Sequence, residues 1–186
     1  MKKILAGEVI GKRKLAAAGS GEVAIPDARH LVHLQFRRFA GCAFCNVHLR
    51  SFERRHDEIT AAGVREVVIF RSTPELLRRH HGDVPYTVVL DPKGKLYSDF
   101  SVGSGLRAVL DPRATLMALP NLARSLFPMR VGLPPPGERI KGVFGFPADF
   151  LIATDGRVIA CQYGAHAEDG WSVDELLALA RGHKAQ

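Results

Sequence analysis

A chain of 186 residues that is 46% apolar and 24% charged, with a mean hydropathy of -0.01, can bury a core of its own, which excludes a disordered tail or a small scaffold held by metal or disulfides. Its 26 Lys and Arg against 19 Asp and Glu give a net charge of +7, yet the basic residues are scattered, with clusters at Arg37-Arg38, Arg50 to Arg55 and Arg78 to His81. No aromatic-interleaved stripe accompanies them, so nucleic acid is a disfavoured partner and a solvated basic surface is the expectation.

Residues 1–29 hold short apolar pieces, Ile4 to Ile10 and Val23 to Ile25, separated by Gly11 and Ala18-Gly-Ser-Gly21, which suits an N-terminal arm or hairpin. The basic opening Met1-Lys-Lys resembles the start of a secretory signal, but Glu8 and Lys12 interrupt the apolar run. No later stretch has the length of a membrane span, and a cytoplasmic protein with no membrane partner is expected.

From His30 to Arg38, Val32, Leu34 and Phe36 alternate with His33, Gln35 and Arg37, the period of a strand. Ala43 to Ala62 contains neither Pro nor Gly and predicts one long helix, stopped by Gly63. Arg65 to Phe70 reads as a buried strand, and Thr73-Pro74 opens a short helix that ends near Gly82. Val84 to Leu90 is a further strand, closed by the turn Asp91-Pro-Lys-Gly94.

A helical insert is expected over about 95–141, with a helix from Pro112 to Leu126 and a stiff connection at Leu133-Pro-Pro-Pro-Gly137. Asp155-Gly156 between Phe150 to Thr154 and Arg157 to Tyr163 predicts a hairpin. Ser172-Val-Asp-Glu175 is a capping box before a last helix striped by Val173, Leu176, Leu177 and Ala180. Alternation of strand and helix, then a hairpin and a helix, implies an α/β fold: a mixed central sheet covered by helices on both faces, in one domain over 30–182.

Chemistry concentrates at Cys42-Ala-Phe-Cys45, where a strand ends and a helix begins. Cysteines three residues apart there can close a disulfide, and two paired cysteines out of only three in the chain suit redox chemistry or metal binding better than a secreted framework. At the helix N-terminus Cys42 should ionise below the ordinary thiol value of about 8.5, with the amides and the dipole favouring thiolate. Arg38, and further along the helix His48 and Arg50, are candidates to add positive potential. Cys45, more buried, would resolve the mixed disulfide formed by Cys42.

Zinc would use Cys42, Cys45 and His48, with Cys161 or His166, but a second paired motif is absent, and neither a metal nor a cofactor is expected. Cys161 reads as a small packed hydrophobe, and His56, His80 and His81 as solvated. Phe44 shapes the approach to the sulfurs or belongs to the core. A binding module that keeps the fold without redox turnover is the reading from a different class.

From Leu31 to about Arg181 the chain resembles the peroxiredoxin-like branch of the thioredoxin superfamily, the alkyl hydroperoxide reductase/thiol-specific antioxidant group. The resemblance is carried by Leu34-Gln-Phe-Arg-Arg-Phe-Ala-Gly-Cys42, Val84-Pro-Tyr-Thr-Val-Val-Leu-Asp-Pro92 and Ala148-Asp-Phe-Leu-Ile-Ala-Thr-Asp-Gly156, then Tyr163-Gly and Ser172 to Leu179. It implies a thioredoxin fold, Cys42 as reactive cysteine, and an oxidoreductase acting on hydroperoxides or disulfides. A thioredoxin or glutathione system would serve as reductant, and a homodimer is compatible with the family.

Two departures favour a disulfide reductase over a peroxidase. The Pro and the Thr or Ser that peroxiredoxins carry seven and three residues before the reactive cysteine are Gln35 and Phe39 here. The arginine before their late strand is replaced by Phe146-Pro147, and Pro147 resembles the cis-proline of thioredoxins instead.

Overall fold

The computed structural model describes residues 2–19, 21–105, 145–166 and 169–184. The predicted helix at Pro112 to Leu126 and the triple-proline connection lie outside these residues. Among the described residues no helix is long and apolar enough to cross a membrane.

Strands β1 (Arg13–Ala16) and β2 (Glu22–Ile25) form an antiparallel hairpin. The main sheet contains β3 (Leu31–Arg37), β4 (Val64–Phe70), β5 (Thr87–Leu90), β6 (Ala148–Ile152) and β7 (Val158–Tyr163), in the order β5-β4-β3-β6-β7. β3, β4 and β5 run parallel, whereas β6 is antiparallel to β3 and β7 to β6. The sheet is therefore mixed, and β3 occupies its middle. β5 is shorter than the alternation suggests because Pro85 has no N–H to give a ladder, so pairing starts at Thr87.

Helix α1 (Ala43–Arg54) is followed by α2 (His56–Ala61), α3 (Pro74–His80), α4 (Lys95–Asp99) and α5 (Val173–Lys184). The single helix expected over 43–62 is thus broken at Arg55, whose backbone leaves the helical region at φ -113°, ψ 21°. No Pro or Gly announces the break. Arg55 there bonds Glu58 at 2.8 Å and Asp174 on α5 at 2.7 Å, tertiary contacts that a local helical pattern does not encode. Gly63 stops α2 as expected, in the left-handed region at φ 78°. The capping box before α5 forms: Glu175 accepts from the Ser172 amide at 2.7 Å and Ser172 Oγ accepts from the Glu175 amide at 3.3 Å.

The sheet separates two apolar layers. Val32, Leu34 and Phe36 of β3 join Val67, Ile69, Phe150 and the hairpin residues Val23 and Ile25 on one side, beneath Tyr97 and Phe100. On the other side Leu31, Val64 and Leu151 meet Phe52 of α1, Ile59 of α2 and the α5 stripe Val173, Leu176, Leu177 and Ala180. All seven residues of β3 are buried, including His33, Gln35 and Arg37, whose side chains lie between the sheet and the α1/α5 layer.

Candidate active site

β3 delivers the chain to a tight turn before α1. Cys42 N donates to the Phe39 carbonyl at 2.9 Å, the Ala40 amide donates to Ser72 Oγ at 2.9 Å, and the Arg71 amide donates to the Arg38 carbonyl at 2.9 Å. Asn46 Nδ2 and His81 Nε2 both donate to the Ala40 carbonyl, at 3.0 and 2.9 Å. His81, expected in solvent, therefore braces the loop and packs its ring 5.1 Å from that of Phe70, and burial lowers its pKa. These contacts fix where α1 begins.

Cys42 is the N-cap of α1, and its Sγ accepts from the Cys45 amide at 3.4 Å. The two sulfurs form one cluster with Phe39 and Phe44, and both cysteines are only 3% exposed, so Cys45 is no deeper than Cys42. Arg38 is also buried; its guanidinium lies over the Phe44 ring at 5.4 Å and bonds to the sulfurs. The expected supporting residues Arg38 and Phe44 are thus brought to the cysteines. Arg50 is exposed.

The charge of the pair sits differently from the sequence expectation. Cys45 is drawn down to about 5 by a hydrogen bond from the Cys42 thiol, then by the charge of Arg38, a backbone N–H of Arg38 and the charge of Arg37, against its burial. The Cys42 thiol is pushed up, first by burial and then by donating to the Cys45 anion beside it. The helix terminus and Arg38 therefore act on two thiols coupled to each other, rather than on one isolated cysteine. His48 adds no charge: burial, followed by the repulsion of Arg37, lowers its pKa to about 3, and its Nε2 accepts from Arg37 at 2.8 Å. That bond also turns Nε2 away from service as a zinc ligand.

Pro147 precedes β6, whose register places it beside the end of β3. Among the described residues the one cis peptide bond joins Ile25 to Pro26, so the thioredoxin-like cis geometry expected at Phe146-Pro147 is replaced by a trans bond. The Pro147 carbonyl accepts from Gly164 at 2.9 Å and so prolongs the β6–β7 pairing, for which an extended trans chain suffices. Phe39, at the family's hydroxyl position, packs on the sulfurs.

The sequence reading missed a buried polar ring under this site. His33 Nδ1 donates to Glu66 at 2.7 Å, and His33 Nε2 to Asp149 Oδ1 at 3.1 Å. Arg37 grips Asp149 with both terminal nitrogens, at 2.7 and 3.2 Å, and donates to Gln35 Oε1 at 2.7 Å. Gln35 Nε2 donates back to Glu66 and closes the circuit. All five residues are at most 2% exposed. A signal for it existed: Glu66 and Asp149 are each a lone carboxylate inside an apolar strand, where an unpaired charge would be costly.

No family model matches this sequence, and no curated protein matches it. Solved structures do. Peroxidoxin BcpB from Mycobacterium tuberculosis matches with a TM-score of 0.63 at 17% identity, covering 96% of this chain and 97% of that one. A reduced 2-Cys peroxiredoxin of Plasmodium vivax matches with a TM-score of 0.67 at 15% identity, covering 98% and 83%. A structure described as a putative thiol:disulfide interchange protein DsbE from Chlorobium tepidum gives 0.56 at 17%, covering 97% and 96%. With its mixed five-stranded sheet between helical layers, the chain has an α/β thioredoxin-type fold in the peroxiredoxin-like form that these structures share.

Proposed function

We propose that the protein is a thiol-disulfide oxidoreductase in which Cys42 attacks a disulfide and Cys45 resolves the product. The observation that carries this reading is the close pair of sulfurs at the mouth of α1, with the Cys45 amide on Cys42 Sγ and Arg38 beside both, an arrangement that lets the pair share one proton. Moving that proton from Cys42 to the Cys45 sulfur frees the attacking thiolate. Attack on a substrate disulfide forms a mixed disulfide at Cys42 and expels a substrate thiolate, which takes up the proton. Cys45, left as thiolate once its proton has gone to the first leaving group, then closes the Cys42–Cys45 disulfide and releases the second substrate thiolate, which is protonated from water. A thioredoxin- or glutathione-type reductant in the cytoplasm would restore the dithiol.

Hydroperoxide is the second substrate class, favoured by the peroxiredoxin-like fold. Attack there would break the O–O bond, leave a sulfenic acid on Cys42 and release the other oxygen as alcohol or water after it takes up a proton, and condensation with Cys45 would yield the disulfide and water. The apolar Phe39 against the sulfurs gives peroxide no hydroxyl, which is why disulfides are placed first.

Wild type and Cys42→Ser are compared for reduction of a protein disulfide and of hydrogen peroxide, with dithiothreitol as donor. Disulfide turnover lost in the variant supports the reading. Absence of a reversible Cys42–Cys45 disulfide in oxidised wild type, read by mass and alkylation, refutes it in favour of a binding module.

A further inference from the structure

A polar cavity of about 660 Å³ lies beside the loop that carries the cysteines, and the exchange scheme above leaves it unused. Its walls belong to the same pieces of chain that build the dithiol site. On one side stands Arg71, directly after β4, whose amide donates to the Arg38 carbonyl at 2.9 Å. Tyr97 of α4 lines the cavity next to it, with its hydroxyl set against the carbonyls of Arg37 and Ile69 at the ends of β3 and β4. On the other side Gly103 and Ser104 are tied to the segment that enters β6: the Phe146 amide donates to the Gly103 carbonyl at 3.1 Å, and Ser104 forms an antiparallel bridge with Gly145. In the β6 register Ala148 faces Phe36, one residue short of the end of β3, so Phe146 lies where the dithiol loop begins.

Positive charge dominates the lining. Arg71, Lys93 and Lys95 stand against one carboxylate, Asp99, and Ser98 and Ser104 add hydroxyls. Asp99 is itself engaged, by Lys95 at 2.8 Å and by Arg13 at 3.7 Å. The neighbouring Asp91 is occupied by the amides of Lys95, Leu96 and Tyr97, at 2.9, 2.7 and 3.3 Å. Arg71 is the fixed member of the set. Its guanidinium lies over the Tyr97 ring at 5.3 Å, and so close to Gly94 that a Cβ there would stand 1.9 Å from Nη2. A stacked, planar guanidinium is preorganised for a carboxylate or a phosphate, and the two lysines on their flexible stems add charge beside it. A solvated basic surface needs neither a stacked arginine nor a concave wall.

We propose that this cavity binds the anionic end of the disulfide substrate, so that the substrate class is a small, carboxylate-bearing disulfide held by Arg71, Lys93 and Lys95. The volume falls within the roughly 300 to 1,000 Å³ of small-molecule sites, which favours such a ligand over a protein surface. Asp99 is the lining residue that opposes the anion, and removing its charge has a consequence of known sign. The exchange step keeps its balance: two electrons pass from the Cys42 and Cys45 thiols to the substrate S–S bond, which breaks as the Cys42–Cys45 bond forms, and two protons accompany them to give two substrate thiols. The inference rests on the dithiol reading given above.

Binding is read first without exchange. S-methylglutathione, which carries carboxylates but neither a disulfide nor a free thiol, is titrated calorimetrically into reduced wild type, Arg71→Gln, Asp99→Asn and the double variant Lys93→Gln/Lys95→Gln. Wild type should bind it, Arg71→Gln should bind about tenfold more weakly or worse, and Asp99→Asn about threefold more tightly. The exposed lysine pair carries the test if Arg71→Gln does not fold, and its loss should weaken binding in the same direction. The second reading is the rate at which each disulfide oxidises the reduced protein: the preference for oxidised glutathione over the uncharged hydroxyethyl disulfide should fall about tenfold in Arg71→Gln. No binding by wild type at millimolar concentration, or binding unchanged in Arg71→Gln and in the lysine pair, overturns the proposal. So does inorganic phosphate bound as tightly as S-methylglutathione, which marks a bare anion site, and so does a loss confined to an acidic protein disulfide, which marks a macromolecular partner. A wild type that binds S-methylglutathione but forms no reversible Cys42–Cys45 disulfide sinks the oxidoreductase reading and the substrate assignment with it, whereas lost binding with an intact disulfide sinks the assignment alone.

Discussion

Raising the pH from neutrality to about 9.5 should strip stability from the folded chain through one side chain, His33. Burial alone would drive this imidazolium to deprotonate. The charge of Glu66, followed by the hydrogen bonds to Asp149 and Glu66, overrides that and lifts its pKa from 6.5 to about 9. A group whose folded pKa is raised contributes stability that is complete below its unfolded pKa and is lost as the pH climbs through the folded one. The window therefore runs from 6.5 to about 9. At about 1.4 kcal/mol per pKa unit, the contribution is on the order of 3 kcal/mol, a large part of a typical net stability of about 5 to 15. Urea unfolding at constant ionic strength, stepped from about pH 6 to about pH 10, measures it. A Cys42→Ser/Cys45→Ser background is required because Cys45, depressed to about 5, adds a slope of opposite sign: its contribution grows as the pH rises. The background protein should lose most of that stability across the window, and Glu66→Gln, which removes the largest raising influence, should flatten the curve. A flat curve in the background protein, or an equal loss in Glu66→Gln, would show that His33 is neutral and that the ring is not ionic.

Three further outcomes follow from the same contacts. Asp149→Ala leaves Arg37 and His33 buried beside a missing partner and should cost about 3 to 5 kcal/mol in chemical denaturation, with Asp149→Asn losing less because its amide oxygen still accepts. Phe150, packed edge-on against Phe36, Phe100 and Tyr163, should lose about 3 to 5 kcal/mol on replacement by Ala, without any change in thiol titration. Thiolate absorbance of the reduced protein should rise through about pH 5, and Arg38→Gln should move that first step upward by about one unit or more; a pair silent until ordinary thiol pH contradicts cation poising.

Local signals and long-range ones were not equally readable. Gly63 after α2, the Ser172-to-Glu175 capping box and the Asp155-Gly156 hairpin each depend on residues within a turn of one another, and each element forms where those residues stand. Cys42 at the start of α1 is of this kind, since strand period, cysteine spacing and a Pro-free helix meet there. The break at Arg55 and the bracing of Ala40 by His81 depend on partners elsewhere in the fold, which local periodicity does not report. The same holds for the burial of the polar side of β3. Alternation told that His33, Gln35 and Arg37 share a face; it did not tell that the face is covered, because that cover is supplied by α1 and α5.

The covered face bears on why the resolving cysteine can be so acidic while buried. Desolvation by itself raises a thiol, and both cysteines are closed from water. A helix terminus acts only over its first turn and favours Cys42, the cap, whose sulfur takes the amide. Cys45, in the same first turn, is lowered chiefly by the hydrogen bond from the Cys42 thiol and by the charge of Arg38 beside both sulfurs. In the sheet below α1, Arg37 is paired with Asp149 and bonded to Gln35, while the second carboxylate, Glu66, is paired with His33. Gln35 belongs to the same network, its side-chain amide joining Arg37 to Glu66 across the buried face of the sheet.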